Sequence, residues 1–259
     1  MDLNFLSNLR RVRSKVNLQS IKFNYFRIVF FLFMVFTFRS SLFAYDVIPV
    51  DHGGNLHGFI SWKGNPPENV LHEVDKDANI CGPQVAEETY AFNSENRGLQ
   101  NVVISIEGLM QGKAPISSTL VIDNKNCHFV PHVQAGMVGQ FYEVRNLDPI
   151  MHNTHLKMEK FTLLNIIMPA HGKDIKKNVP EPGIIKIQCD VHKFMRGWIF
   201  ASENPYIAVT DHDGNYKISD IPPGKYFIKL WHEGLSVKRK EVTIFPGKNN
   251  ELSMELTLQ

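Results

Sequence analysis

Cysteine is scarce in this 259-residue chain, which has only Cys81, Cys127 and Cys189. No C-x-x-C-H run occurs among them, so covalently attached haem is excluded. Long apolar runs are missing too: the longest, "IVFFLFMVFTF" (28–38), has eleven residues, against the roughly 20 that a membrane helix needs. After residue 44 no stretch holds a helical period, and the chain shows no low-complexity tract and no tandem repeat. No nucleophile–base arrangement or paired acid–base motif is convincingly placed, so the chain reads as a non-enzyme.

A basic surplus is also absent where it would matter. The first 44 residues hold Arg10, Arg11, Arg13, Lys15, Lys22, Arg27 and Arg39 against Asp2 alone, which leaves 21 basic and 25 acidic groups from Tyr45 onward. A body near −4 lacks the clustered basic footprint of a nucleic-acid surface, and no nucleic acid is expected as partner. The basic leader, the eleven apolar residues and the closing "SSLFA" stand in the order of a secretory signal, with cleavage predicted after Ala44. An uncleaved leader would be the sole membrane attachment. The mature chain is therefore expected to be exported, to the periplasm or an equivalent compartment where disulfides persist.

From Tyr45 onward the chain is a series of short apolar runs punctuated by Gly, Pro, Asn and Asp, which reads as all-β. The clearest strands are "NVVISIEG" (101–108), "TLVID" (119–123), "QFYEVRN" (140–146) and "GIIKIQC" (183–189). In the last, Ile185, Ile187 and Cys189 share one parity and Lys186 and Gln188 the other, so Cys189 is predicted to face inward. Tyr226, Ile228 and Leu230, and then Leu252, Met254, Leu256 and Leu258, alternate in the same way. "AEETYAFNSENRG" (86–98) fits a loop or a short helix equally well.

The segment "CDVHKFM" (189–195) sets a thiol, an imidazole and a thioether in seven residues. A metal cycling between one-electron states is served by two imidazoles, one thiolate and a weak thioether, a donor set that suits copper. Cys189, His192 and Met195 supply three of these on one loop, and His152 of "NLDPIMHNTH" is the candidate fourth. Taken singly, each residue is ordinary packing or surface; the spacing after an inward-facing strand is what points to copper.

In the order Phe129, Pro131, Gly139, Asn146, Asp148, His152 and Asn153, the chain resembles the cupredoxins, and the C-x2-H-x2-M loop is similar to that of amicyanin. The resemblance covers about residues 117–203. It implies a Greek-key β-sandwich, copper as cofactor on His152, Cys189, His192 and Met195, and Asn153 hydrogen-bonding the two halves of the site together. A calcium loop at "DHDGN" (211–215) fails because the twelfth position is Pro222, and a zinc site on Cys127, His128 and His132 gives way to ordinary core and surface roles. Cys81 and Cys127 then either pair as a disulfide or stay free.

The runs "TDHDGNY" (210–216) and "PPGKY" (222–226) resemble the carboxypeptidase regulatory-like domain, a small transthyretin-like β-sandwich. Its opening strands are missing from the C-terminal tail, but "GNLHGFISW" (54–62) and "LQNVVISIEG" (99–108) resemble them. The organisation expected is a signal over 1–44, the first strands of that sandwich over 45–116, an inserted cupredoxin-like domain over 117–203, and the rest of the sandwich over 204–259. In it a core Trp231 and a surface His232 are the defaults.

These resemblances imply an exported blue-copper protein that carries single electrons between partners such as a c-type cytochrome or a periplasmic dehydrogenase, with His192 as the electron's exit beside Phe194 and Trp198. Copper delivery, or a structural β-sandwich without metal, are the alternatives.

Overall fold

The computed structural model describes residues 45–258, apart from 66, 69 and 160, so the predicted signal lies outside the described residues. Among these no helix is long and apolar enough to cross a membrane. Among the described residues the architecture is all-β, with one four-residue helical turn, Ala78–Cys81.

Two β-sandwiches are built from different parts of the chain. In the first, one sheet runs Ile207–Val209, Val103–Ile106, Gly224–His232, Leu235–Ile244. The facing sheet runs Asn215–Ile221, Gly54–Trp62, Asn249–Glu251, and Met254–Leu256 also pairs with Gly54–Trp62. Strands from before residue 107 are thus interleaved with strands from after residue 206. The alternation of Leu56, Ile60, Ile104, Ile106, Ile218 and Ile228 explains this, because each buries its side chain in one shared core.

The second sandwich uses only residues between those two groups. One sheet orders Ile175–Asn178, Phe141–Asn146, Leu120–Lys125, His128–Val130, with the middle two parallel. The other orders Thr162–Met168, His152–Lys157, Gly183–Gln188, Arg196–Ser202, Val133–Met137. Its core gathers Ile122, Phe129, Val144, Leu156, Ile185, Ile187 and Ile199, with Cys189 and Met195 at one end. The sandwiches meet through Val103 and Trp231 of the first and Val133 and Phe200 of the second.

Turn chemistry behaves as the residue types dictate. At 211–215 the Asp211 carboxylate accepts the N–H groups of Asp213 and Asn215, and Gly214 takes φ +81°, so this segment is a tight reversal. The undecided stretch 86–98 holds turns and isolated bridges and no helix.

Two expectations need correction, and one element is new. His232 is buried, because it continues the inward parity of Ile228 and Leu230 and its ring stacks on Tyr90 with centroids 5.9 Å apart, whereas Trp231 takes the opposite face. Leu258 lies beyond the last strand and is 46% exposed. The hairpin Leu71–Glu73/Gln84–Ala86, which carries the helical turn at its tip, was not foreseen.

Candidate metal centre

Cys189 directly succeeds an interior strand, and its inward parity delivers the sulfur to the core boundary, where it is buried. The loop to Met195 is closed on itself: Cys189 N–H donates to Met195 O at 3.3 Å and Met195 N–H to His192 O at 2.9 Å. His152 opens the neighbouring strand His152–Lys157. One ligand atom each from His152, Cys189 and His192 lies within 4.8 Å of the other two, and all three side chains are buried. Met195 is buried in the same apolar cluster as Cys189.

Each ring is gripped from behind. His152 Nε2 lies 2.8 Å from Asp148 Oδ2, and His192 Nε2 lies 2.9 Å from Asp77 Oδ2. A carboxylate at that distance makes Nε2 the protonated nitrogen, which leaves both Nδ1 atoms as bare acceptors. These face each other at 3.1 Å, with Cys189 Sγ 3.9 Å from His192 Nδ1. Two lone pairs in contact inside a buried site are repulsive unless a cation lies among them. Burial pushes His152 below the ordinary histidine range, against the pull of Asp148, which keeps its ring neutral and a donor of electrons. Cys189 Sγ accepts the N–H groups of Asn153 and His192, each at 3.3 Å, which hold the sulfur in place. Two imidazoles and one cysteine sulfur, converging in a buried pocket, are a donor set that fits copper.

The surrounding bonds tie the strands together. Asn153 Oδ1 accepts Asp190 N–H at 3.2 Å, and Asn153 Nδ2 donates to Asn165 Oδ1 at 2.7 Å. Asp148 also accepts Asn126 N–H at 2.6 Å and Cys127 N–H at 2.9 Å. Cys127 is joined to Cys81 by a disulfide, and Cys81 N–H donates to Asp77 O at 2.9 Å. One crosslink therefore connects the anchor of His152 with the anchor of His192. Sequence reading missed Asp77, which is 115 positions from His192 in a polar hairpin with no metal-like spacing.

One further expectation changes, and the rejection of a zinc site stands. His192 is fully buried, with Asp77 over its outer edge, so it does not offer an exposed exit for an electron. Cys127, spent in the disulfide, offers no thiolate to zinc; His128 Nδ1 bonds to Asn126 O, and His132 lies between Glu88 and Glu233. Burial alone would lower His132, but those two carboxylates outweigh it and raise it to about 9. Glu233 also accepts Trp198 Nε1–H at 2.7 Å, so this charge cluster joins the two sandwiches.

Residues 189–252 match the family model described as polysaccharide lyase family 4, domain II, and not the regulatory-like family whose turns the sequence resembles. The matched stretch starts in one sandwich and ends in the other. No curated protein matches the chain in sequence. Among solved structures it is similar to a Cu-containing nitrite reductase from Thermus scotoductus, at 21% identity and TM-score 0.30 over 36% of this chain and 24% of that one. It is similar also to a reduced amicyanin mutant, at 18% identity and TM-score 0.30 over 38% and 98% of the two chains. A purple cupredoxin from Nitrosopumilus maritimus gives 21% identity and TM-score 0.29 over 33% and 100%. The chain thus spans about a quarter of the nitrite reductase; at these identities and scores the likenesses carry no argument about activity.

Proposed function

We propose that this chain is an exported copper protein that carries single electrons between redox partners. The observation that carries the reading is the convergence of His152 Nδ1, His192 Nδ1 and Cys189 Sγ in a buried site whose rings are each fixed by a carboxylate. Copper bound there would supply a one-electron couple, with the thiolate favouring the reduced ion. His152 and His192 would hold it as neutral donors, Cys189 as the thiolate, and Met195, buried with Cys189, as the thioether. Asp148 and Asp77 fix ring orientation and tautomer. The Cys81–Cys127 disulfide supports export to an oxidising compartment. The flanking sandwich is read as a non-catalytic brace, and a c-type cytochrome or a periplasmic dehydrogenase is the partner class.

The test is to express residues 45–259, add copper, and record the visible spectrum with cyclic voltammetry. An intense thiolate band and a reversible couple support a carrier. Bound copper without a reversible couple turns the reading toward delivery, and no stoichiometric copper removes it.

A further inference from the structure

We propose that the redox partner docks on a basic face beside Cys189, made by Lys157, Lys186 and Lys193, and that it is an acidic protein; this rests on the electron-carrier reading. Both imidazoles are closed to solvent, and the outer edge of His192 is covered by Asp77. The covering hairpin is itself held down by the Cys81–Cys127 disulfide and by Arg196 Nη1 on Glu87 Oε1 at 2.9 Å. The Cys189 side is different. A cleft of about 410 Å³ opens there, lined by Lys186, Gln188, Cys189, Asp190, Lys193 and Arg196. Asp190, next in the chain to Cys189, is exposed, so a covalent path leads from sulfur to surface in one residue.

Charge at this face is surplus positive on a body that is otherwise acidic. Asp190 is taken up by His155 and Gln188, and Arg196 by Glu87. Lys157 and Lys186 are direct register partners on adjacent strands, and neither they nor the exposed Lys193 has an ionic partner among the described residues. Like charges set opposite each other destabilise a sheet. Lysines often guard sheet edges against aggregation, but both strands here are interior in the five-stranded sheet, so edge protection does not explain them. The half-buried Trp198 ring, with Lys186 Nζ 5.7 Å from its centroid, adds an apolar platform. A basic, partly apolar face over the electron's shortest way out complements an acidic partner and would speed its encounter.

The first measurement needs no copper. Hexacyanochromate(III), a paramagnetic trianion, is titrated into the ¹⁵N-labelled copper-free protein; broadening is expected at Lys186, Gln188, Asp190 and Lys193 and is lost in Lys157→Gln/Lys186→Gln/Lys193→Gln. Broadening centred elsewhere overturns the docking face. In the second, the reduced copper protein gives one electron to hexacyanoferrate(III) or to cationic tris(phenanthroline)cobalt(III). The triple variant is expected to slow the anionic oxidant about 10-fold at low salt, with the cationic oxidant within about twofold. Equal rates for parent and variant overturn the proposal, as does an Asp77→Gly variant that speeds both oxidants about 10-fold, which would make His192 the exit. Sedimentation with phosphatidylglycerol vesicles is expected to leave the protein in the supernatant; lysine-dependent pelleting would replace the protein partner with a membrane. Failure of the carrier reading shows separately, as absence of a reversible couple with the copper-free broadening unchanged.

Discussion

Asp77 is the residue on which the site's outer wall depends, and removing its carboxylate is the most informative single change. Its backbone sits at φ 56°, in the left-handed region, where Ala would add strain of its own. Asp77→Gly removes the side chain without that strain, and Asp77→Asn keeps both an acceptor oxygen and tolerance of the conformation. Losing the partner of a ligating histidine typically costs 10- to 100-fold in metal affinity, or about 1.4–2.8 kcal/mol. The folding cost is a different quantity. Asp77 is 40% exposed, so its attraction to His192 contributes at most about 1 kcal/mol. Leaving the Nε2–H of a fully buried ring unpaired costs about 1–3 kcal/mol, reduced if water enters the gap. Asp77→Gly should therefore weaken copper binding by 10-fold or more in a chelator competition at pH 7, Asp77→Asn should recover most of it, and thermal unfolding without copper should fall only modestly. An affinity within twofold of the parent for Asp77→Gly would refute the idea that this carboxylate fixes the ring.

Asp148 is buried and accepts from two backbone N–H groups as well as His152, so Asp148→Ala should lower the unfolding free energy more than any Asp77 variant, by about 3 kcal/mol or more, read in urea. Cys81→Ser/Cys127→Ser opens a 46-residue loop, for which chain entropy gives about 4 kcal/mol; it should also loosen copper, measured by the same competition. Stability should peak near pH 6.5. His132 is raised to about 9, so its contribution is complete below about 6.5 and is lost as pH climbs toward 9; His232 is lowered by burial to about 4, so stability falls as pH drops from about 6.5 toward 4, where the unfolded chain binds that proton first. Glu233→Gln should flatten the alkaline limb in denaturant melts, and an unchanged limb would sink the assignment.

Much of this molecule was legible in its residues, and the failures have physical causes. The strand parity of Ile185, Ile187 and Cys189 turned the thiol inward because a period of two leaves no other face for it. Turn residues marked the 211–215 reversal, since Asp211 and Gly214 act locally. Asp77 was not legible: its role depends on a hairpin folding over a loop more than 100 residues away, and a lone aspartate in a polar stretch carries no pattern. His232 was expected at the surface from its residue type, although it continues the parity of Ile228 and Leu230; the Tyr90 ring that stacks on it comes from a distant part of the chain. The exit at His192 was misread for the same reason as Asp77, because what covers a ligand is set by tertiary contacts and not by its neighbours in sequence.

X-ray absorption at the copper K-edge of the loaded protein addresses the metal centre most directly. One short sulfur scatterer and two imidazoles per copper, with the sulfur gone in Cys189→Ser, are the predicted result. A shell of nitrogen and oxygen alone, unchanged by that substitution, would contradict it.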